Sequence, residues 1–423
     1  MDNILLINTD TCHFAKVYPI GLDYLTSVLE EHGYSVDKLD LAFIDKDKWL
    51  ESAQVLIRDN NYLAVGIGIR NLYDEIYHGK NYLPEIIEFV KDLKKILRQR
   101  KSAPKIILGG SGFSLIPQIV LDETGADFGV INEGEQAFID ILKIIYTNET
   151  IKKQIFSGPV DLTKQKYRRG SWGNFHGYFK QNASGNLQTK RGCPMKCLYC
   201  EYPVIEGTRF RFRDPTIVAE EFLQLELLGF PRIYIVDATF NNPLYQAKDI
   251  LKAFKKAGTK KEWTAFFNPK LLDQELISLI KETNGGKPFK LTIESGSDEM
   301  LKTLRKNLTV KDIYKAVSLC RKNRMDFSFT VLFGGPGENE KTVKETCDLI
   351  KKCQPVYVSM NIGLYLHPQT PIAQINKGKL WSKESDFLNP IIYPCERDKI
   401  KSWINKYLAD SGISFNLYEG GEK

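Results

Sequence analysis

The residues with the clearest chemical potential are three cysteines, Cys193, Cys197 and Cys200, which lie on one short segment of the chain. This spacing gathers three thiolates on a single loop, and no fourth Cys or His stands close by in the sequence. A closed structural zinc site takes four ligands, whereas an iron-sulfur cluster held by three cysteines leaves one iron open to something other than protein. The segment therefore predicts a cluster with one open iron, where chemistry can occur.

A zinc site is the alternative interpretation of these thiols. It would need a distant fourth ligand, and His176 is the nearest histidine. Free cysteine is commonly a small buried hydrophobe, so we expect the five scattered cysteines to occupy core positions instead of a metal site. These five are Cys12, Cys320, Cys347, Cys353 and Cys395.

The composition of the 423-residue chain, with 43% hydrophobic and 26% charged residues, is that of a globular protein. Eight cysteines are too few for a secreted disulfide scaffold, and a cluster needs reduced thiols, so we expect a cytoplasmic protein. No stretch approaches the roughly 20 apolar residues of a membrane-spanning helix, and the apolar start at residues 4–7 is too short for a signal peptide. A net charge of +7 is mild for this length and does not indicate nucleic-acid binding.

The first block of the chain, residues 1–150, alternates short β-branched runs with amphipathic stretches, which is typical of a parallel sheet wrapped by helices. A helix is predicted at residues 21–32, with Gly33 as its C-terminal stop. The predicted strands are residues 4–8, 35–41, 63–69, 105–108 and 128–131. Residues 151–184 are polar with scattered aromatics, and they predict a linker packed on the surface.

A second alternation begins near residue 186 and predicts a partial six-stranded α/β barrel over residues 185–377. Residues 378–423 form a short C-terminal extension, with aromatics suited to closing the barrel or lining a pocket. The predicted barrel strands are residues 186–189, 232–236, 263–267, 289–293, 326–332 and 357–363. In both blocks we expect ligands at the carboxyl ends of the strands, where the loops converge.

The cysteine segment resembles the radical S-adenosylmethionine (SAM) enzymes, whose hallmark is Cys, three residues, Cys, two residues, Cys, with an aromatic before the last Cys. Tyr199 fills the aromatic position, and Pro194 lies within the loop. The resemblance implies that Cys193, Cys197 and Cys200 bind a 4Fe-4S cluster whose open iron binds SAM. In this family, cleavage of SAM releases a 5′-deoxyadenosyl radical.

The loops that follow the predicted barrel strands are similar to the SAM-binding segments of that family. The resemblance implies that the loop after the second strand meets the amino group of SAM, the loop after the fourth strand the ribose, and the fifth strand the adenine. The implied SAM contacts are Tyr199, Asp237, Thr239, Glu294, Ser295, Val331, Phe333 and Gly335. Two alternatives stay open here: Asp237 as a helix cap, and His367 as either a substrate contact or a turn residue.

The N-terminal third resembles the cobalamin-binding domains that precede many radical SAM modules and have a flavodoxin-like or Rossmann-like fold. The resemblance rests on Pro19-Ile20-Gly21-Leu22, the Gly109-Gly110 turn and Glu133-Gly134-Glu135, in that order along the chain. The residues that it implies for cobalamin binding are Asp10, Thr11, Cys12, His13, Gly21, Arg70, Gly109, Gly110, Ser111, Gly112, Glu133 and Gly134.

One departure concerns the lower axial ligand of the cobalt. Domains that coordinate cobalt through histidine carry Asp, any residue, His, two residues and Gly after the first strand. This chain has Asp10-Thr11-Cys12-His13 and lacks that glycine. We therefore expect His13 not to ligate cobalt, which leaves two alternatives: cobalamin without a histidine ligand, or no cobalamin.

Together these resemblances imply a cobalamin-dependent radical SAM methyltransferase acting on an unactivated carbon. The 5′-deoxyadenosyl radical would take a hydrogen from the substrate, and methylcobalamin would deliver the methyl group. Two alternatives are a rearrangement or cyclisation enzyme with the same cofactors, and a non-catalytic corrinoid-binding or metal-binding regulator. The short C-terminal extension favours a small-molecule substrate, and the expected redox partner is an external donor such as flavodoxin or ferredoxin, with no membrane partner.

Overall fold

A computed structural model describes residues 3–10, 12, 16–74, 79–147, 149 and 154–418 of the chain. Two of the residues expected to bind cobalamin, Thr11 and His13, lie outside the described residues. The described residues form two α/β units in the order that the sequence predicts. The segment between the two units is the one that the sequence predicts as a linker.

The N-terminal unit is a parallel sheet. Its strands, among the described residues, are β1 (Asn3–Asn8), β2 (Ser35–Asp40), β3 (Ala64–Gly68), β4 (Lys105–Gly109), β5 (Phe128–Val130) and β6 (Ile155–Phe156). They pair in the order β2-β1-β3-β4-β5-β6, and the first five follow the flavodoxin-like order. The helices are α1 (Ile20–Glu31), α2 (Trp49–Asp59), α3 (Leu83–Arg98), α4 (Ser111–Leu115), α5 (Pro117–Thr124) and α6 (Glu135–Thr147), with 3₁₀ turns at Leu41–Phe43 and Lys46–Lys48.

Alternate side chains of β1 enter two separate cores. Ile4 and Leu6 pack in the core that contains α1 and α6, whereas Leu5 and Ile7 pack in the core that contains α2, α3 and α5. A parallel strand covered on both faces needs a continuous apolar run. The run at residues 4–7 meets this requirement, and the predicted α/β sheet is confirmed.

The second unit is an open barrel of parallel strands. Its strands and those beside them are β7 (Gly185–Leu187), β8 (Lys190–Arg191), β9 (Arg211–Phe212), β10 (Ile233–Ile235), β11 (Trp263–Thr264), β12 (Phe266–Phe267), β13 (Phe289–Glu294), β14 (Phe327–Phe333), β15 (Tyr357–Ile362), β16 (Tyr365–Leu366), β17 (Ile391–Ile392) and β18 (Phe415–Tyr418). The parallel strands form two sheets, one with the order β11-β10-β7 and the other with the order β12-β13-β14-β15-β18. Ala265 separates β11 from β12, and hence the two sheets.

Helices follow most of the barrel strands. They are α7 (Phe175–Lys180), α8 (Tyr202–Glu206), α9 (Pro215–Leu227), α10 (Leu244–Ala257), α11 (Gln274–Glu282), α12 (Asp298–Thr303), α13 (Val310–Lys322), α14 (Glu340–Cys353), α15 (Pro371–Ile375) and α16 (Arg397–Leu408), with a 3₁₀ turn at Glu384–Leu388. The C-terminal extension contributes β18, which pairs in parallel with β15, and α16, which packs on α14. In the described part of the chain, every helix is too short or too polar to span a bilayer.

Within residues 154–184, the described part of the predicted linker, several aromatic side chains are buried instead of lying on the surface. Tyr167, Trp172 and Tyr178 are at most 2% exposed. Nearby, Arg169 Nε lies 2.8 Å from Asp23 Oδ2 of α1, and both side chains are fully buried. Charges can be buried when they are paired, so Arg169 and Asp23 join this segment to α1, although many other polar residues of the segment are exposed.

Candidate functional site

The three cysteines lie on the loop between β8 and α8, and the antiparallel pair of β8 and β9 forms the stem of this loop. Cys193 and Cys197 are 6% and 8% exposed, and Cys200 is half-buried. Burial raises the pKa of all three thiols, that of Cys200 to about 12. The free thiols therefore carry protons, which binding of iron would release.

The zinc alternative needs three or more ligands at one metal position, whereas the cysteines of a 4Fe-4S cluster each bind a different iron. Among the residues that the structure describes, no three His, Cys, Asp or Glu side chains converge on one metal position. Cys320, Cys347 and Cys353 are buried in the core as expected, and Cys12 and Cys395 are half-buried.

The backbone of the cluster loop is held from both sides. The Leu198 amide donates to the Leu304 carbonyl, and the Leu198 carbonyl accepts from the Ile372 amide, each at 2.9 Å. Gly192 has a φ of +87°, and a Cβ at this position would collide with the Arg209 carbonyl. The loop therefore depends on glycine before its first cysteine and on two distant segments.

Tyr199 and Glu294 come together beside the cysteines. Glu294 ends β13 with a φ of +62°, and its carboxylate accepts hydrogen bonds from Lys306 Nζ at 2.7 Å and from the Tyr199 hydroxyl. Burial lowers the pKa of Lys306, but Glu294 and Cys197 outweigh that effect and raise it, so Lys306 stays cationic. Sequence reasoning missed Lys306, because no local motif marks it.

Asp237 lies in the loop after β10, and its carboxylate is engaged within the protein. It accepts hydrogen bonds from the Thr189 amide at 2.8 Å, the Thr189 hydroxyl at 2.5 Å and Lys190 Nζ at 2.8 Å. The alternative role as a helix cap is wrong, since Pro243 stands at the N-cap of α10. Asp237 therefore ties β10 to the segment that enters the cluster loop. The neighbouring Thr239 hydroxyl donates to its own loop, to the Ala238 carbonyl.

The structure does not bring the side chains of Val331, Phe333 and Ser295 to the barrel interior. Val331 and Phe333 are each 1% exposed and pack in the core shared with the outer helices. Leu332, between them, is half-buried and packs with the other core, because successive side chains of a strand point to opposite faces. The Ser295 hydroxyl lies 3.1 Å from Thr346 Oγ1 of α14. Only the backbone at these positions is available to a ligand at the strand ends.

The glycine-rich segment after β14 packs tightly. Gly334 has a φ of +86°, and a Cβ there would lie 2.9 Å from Cys395 Sγ. A Cβ at Gly335 would lie 3.1 Å from Leu304 Cδ2. Three residues after Gly335, Glu338 accepts hydrogen bonds from the Thr342 hydroxyl at 2.5 Å and the Gly334 amide at 3.3 Å.

Burial raises the pKa of Glu338 from 4.5 to about 7. This shift implies that the stability of the fold depends on pH. The folded state holds this proton more tightly than the unfolded chain, so the carboxylate destabilises the fold increasingly as the pH rises from about 4.5 to 7. We therefore expect the free energy of unfolding of Glu338→Gln, relative to that of the wild type, to be higher at about pH 8 than at about pH 5. Urea unfolding at the two pH values measures this difference. An equal difference at the two pH values would show that Glu338 ionises normally.

The described members of the group expected to bind cobalamin gather at the carboxyl edge of the N-terminal sheet. They are Asp10, Cys12, Gly21, Arg70, Gly109, Gly110, Ser111, Gly112, Glu133 and Gly134. Asp10 Oδ2 accepts a hydrogen bond from Arg70 Nη1 at 2.8 Å, which joins the loops after β1 and β3. Among the described residues, a Cβ at Gly21 or Gly134 would meet nothing within 4 Å.

The glycine turn after β4 packs against the loop after β3. Gly110 has a φ of +103°, and a Cβ there would collide with the Ile69 carbonyl. A Cβ at Gly112 would lie 2.9 Å from the Arg70 carbonyl, to which the Ser111 hydroxyl donates at 3.0 Å. Contact between the two loops therefore requires these glycines independently of any ligand.

Glu133 differs from the rest of this group because its carboxylate pairs with residues of the second unit. It lies 3.1 Å from Arg191 Nη1, contacts Arg211, and accepts from the Val160 amide at 3.0 Å. Arg191 also pairs with Glu135 at 2.6 Å. Glu133 therefore joins the N-terminal sheet to the stem of the cluster loop.

His367 is a buried bridge between three segments. Its Nδ1 lies 3.1 Å from the Tyr73 hydroxyl in the loop after β3, and its Nε2 lies 3.0 Å from Glu201 Oε2. Glu201 directly follows Cys200. The imidazole thus connects the N-terminal sheet, the cluster loop and the segment after β16.

Comparison with known families matches both units of the chain. Residues 187–350 match the radical SAM superfamily, and residues 11–142 match the B12 binding domain. The chain belongs to the B12-binding radical SAM enzymes. The cofactors of this radical SAM enzyme are a 4Fe-4S cluster, SAM and cobalamin.

Individual relatives agree with this assignment. Tryptophan 2-C-methyltransferase of Streptomyces laurentii is 24% identical over 453 residues, which cover 88% of this chain and 74% of that protein. The structure of the radical SAM methyltransferase TsrM from Kitasatospora setae, with cobalamin and a 4Fe-4S cluster bound, has a TM-score of 0.79 at 22% identity and covers 88% of this chain and 77% of TsrM. The cobalamin-dependent SAM radical enzyme OxsB has a TM-score of 0.69 at 14% identity, and the match covers 96% of this chain and 56% of OxsB. This radical SAM enzyme shares their fold.

Proposed function

We propose that this enzyme transfers a methyl group from cobalamin to a carbon atom of a small molecule. The observation that carries the proposal is the way the two ligand-bearing edges meet. The carboxyl edge of the N-terminal sheet contacts the stem of the cluster loop through Glu133. A substrate held between these edges would have cobalamin on one side and SAM on the other. The similarity to a tryptophan C-methyltransferase over 88% of the chain supports methyl transfer.

In this proposal, Cys193, Cys197 and Cys200 hold the cluster, and the barrel strand ends hold SAM. The network of Tyr199, Glu294 and Lys306 borders the open iron, with a buried positive charge near the cysteines. Because the side chains of Asp237, Thr239, Ser295, Val331 and Phe333 are engaged or turned away, they act through backbone groups and loop geometry. Gly335, an implied SAM contact, has no side chain and would let the backbone approach SAM closely.

Two buried polar atoms support a polar ligand in the barrel. Ser297 Oγ, after β13, and Asn361 Oδ1, on β15, have no hydrogen-bond partner within the described part of the protein. A buried polar group without a partner costs about 1–3 kcal/mol. Both atoms fit hydrogen bonding to the ribose or amino-acid part of SAM, which would remove that cost.

At the other edge, we propose that Asp10, Cys12, Gly21, Arg70 and the turns at 109–112 and 133–134 surround cobalamin, and Thr11 and His13 belong to the same group. The cofactors supply the radical chemistry and the methyl carrier. The protein binds and orients them and excludes water between the two edges. An external donor such as flavodoxin or ferredoxin supplies electrons, which fits a reducing compartment such as the cytoplasm.

SAM deuterated in its methyl group tests the transfer. We expect the anaerobically reconstituted enzyme, with hydroxocobalamin and reductant, to place the labelled methyl group on a carbon of the substrate. Tryptophan and other aromatic amino acids are the first substrates to try, because the tryptophan methyltransferase is similar over most of this chain. Mass spectrometry of the product reads the label.

The same experiment separates the alternatives. A changed product without label would indicate a rearrangement or cyclisation enzyme. Full cofactor binding without any SAM cleavage, across a broad panel of small metabolites, would indicate a regulator. Either outcome would overturn the proposed methyl transfer.

A further inference from the structure

One carboxylate of the N-terminal unit, that of Glu133, pairs with both strands of the stem of the cluster loop, while Glu135 pairs with Arg191 alone. Glu133 follows β5 and is 6% exposed. It pairs with Arg191 on β8 and with Arg211 on β9, which are the two strands of the stem. A buried ion pair is strongly destabilised when one partner moves away. The turn that contains Glu133 and the stem that carries the cysteines must therefore keep one relative position.

The residue before Glu133 holds the other end of the cluster loop. Asn132 Nδ2 donates to the carbonyls of Val204 and Ile205, at 2.8 and 2.7 Å, in the last turn of α8. The Asn132 amide donates to Ser114 Oγ of α4 at 2.9 Å, and α4 packs against α8. The turns after β4 and β5 thus contact and support α8, the helix that follows the cysteines.

A third connection joins the turn after β3 to the same loop. Tyr73 bonds to His367, and His367 bonds to Glu201, the residue after Cys200. The loop is therefore attached to the carboxyl edge of the N-terminal sheet before its first cysteine, directly after its last cysteine and at the end of α8. All three attachments come from turns at the edge where we propose cobalamin binds.

We infer that cobalamin binding and cluster binding are thermodynamically coupled through the turn at residues 132–135, with Glu133 as the positioning residue. This inference rests on the proposed function, in which the open side of Gly134 faces cobalamin. In this inference the cluster fixes the stem, the ion pairs of Glu133 transmit that constraint to the turn, and cobalamin beside Gly134 binds the turn in that one position. Coupling between sites is reciprocal, so the cluster must tighten cobalamin binding by the same factor.

The test measures both directions of the coupling in the full chain. One arm is the dissociation constant of hydroxocobalamin for the protein with and without its cluster, by absorbance titration. The other arm is the loss of iron to a chelator with and without hydroxocobalamin. For the wild type we expect cobalamin to bind about tenfold more tightly when the cluster is present, within the usual range of coupling. For Glu133→Gln we expect the factor to fall to about twofold or less.

Two further variants make the result specific. Asn132→Gly removes the contacts with α8 while leaving the buried charges intact, and its φ of +60° suits glycine; we expect a reduced coupling factor here also. Glu30→Gln is the matched control, because Glu30 of α1 pairs with Lys38 and Arg168 away from the cluster loop. The control is expected to keep the wild-type factor.

The outcomes distinguish this inference from the proposed function. If the wild type binds no cobalamin, the proposed function fails. If it binds both cofactors with equal affinity in either order, the proposed function stands and the coupling is wrong. Wild-type coupling in both Glu133→Gln and Asn132→Gly would also overturn the inference.

Discussion

Cys197→Ala is expected to abolish the iron-sulfur cluster. Cys197 is the middle residue of the three cysteines and is buried beside Lys306 and Glu294. Two remaining thiolates cannot hold a cluster whose irons each need a ligand. Iron and acid-labile sulfide should fall from about four of each per chain to background after anaerobic reconstitution, and the visible absorbance of the cluster should disappear.

The control for this change is Cys320→Ala. Cys320 is fully buried in α13, so this variant also removes a buried thiol, but in the core instead of the cluster loop. We expect it to retain full iron content with a modest loss of stability. Full iron content and SAM cleavage in Cys197→Ala would contradict the assignment of the loop, as would loss of iron in both variants.

Asp23→Ala is expected to cause the largest loss of stability. Asp23 is fully buried and accepts hydrogen bonds from Arg169 Nε and the Trp172 amide, each at 2.8 Å, and from the Tyr18 hydroxyl at 3.0 Å. Its removal leaves the buried Arg169 without that partner. Breaking a buried pair in this way costs about 3–5 kcal/mol, which should appear as a lower free energy of unfolding in urea.

An exposed ion pair provides the comparison for Asp23. Lys166 and Glu220 lie 3.3 Å apart with side chains 67% and 52% exposed, and such pairs contribute about 0–1 kcal/mol. Glu220→Gln should therefore leave the free energy of unfolding nearly unchanged. A loss below about 1 kcal/mol for Asp23→Ala would show that the segment 151–184 is not held between the two units by this pair.

Features that depend on neighbouring residues could be predicted from the sequence. The three cysteines and Tyr199 lie on one loop as their spacing indicates, and the family match to residues 187–350 agrees with it. The strands were predicted within a few residues, because a strand buried on both faces needs an apolar run wherever it sits. Glu294 was also predicted to stand at the end of a strand, and it ends β13.

Features that depend on which face a side chain occupies were harder to predict. Val331 and Phe333 follow the apolar pattern of a strand end, but the alternation of β14 sends both into the outer core. Asp237 lies in the loop after its strand as expected, yet its carboxylate bonds to Thr189 and Lys190 from a different strand end. A motif gives the position of a residue along the chain, and it does not give the partners that folding brings to it.

By itself, the sequence determined the order of the two units, the loop that carries the cysteines and the edges where we propose that ligands bind. These follow from periodicity and spacing, which act over a few residues. Only the tertiary structure decided that Glu133 pairs with Arg191 and Arg211, that Lys306 lies beside Glu294, and that Tyr167 and Trp172 are buried between the units. Those contacts join residues far apart in the chain, and their partners are chosen by the packing of whole elements, which no local pattern encodes.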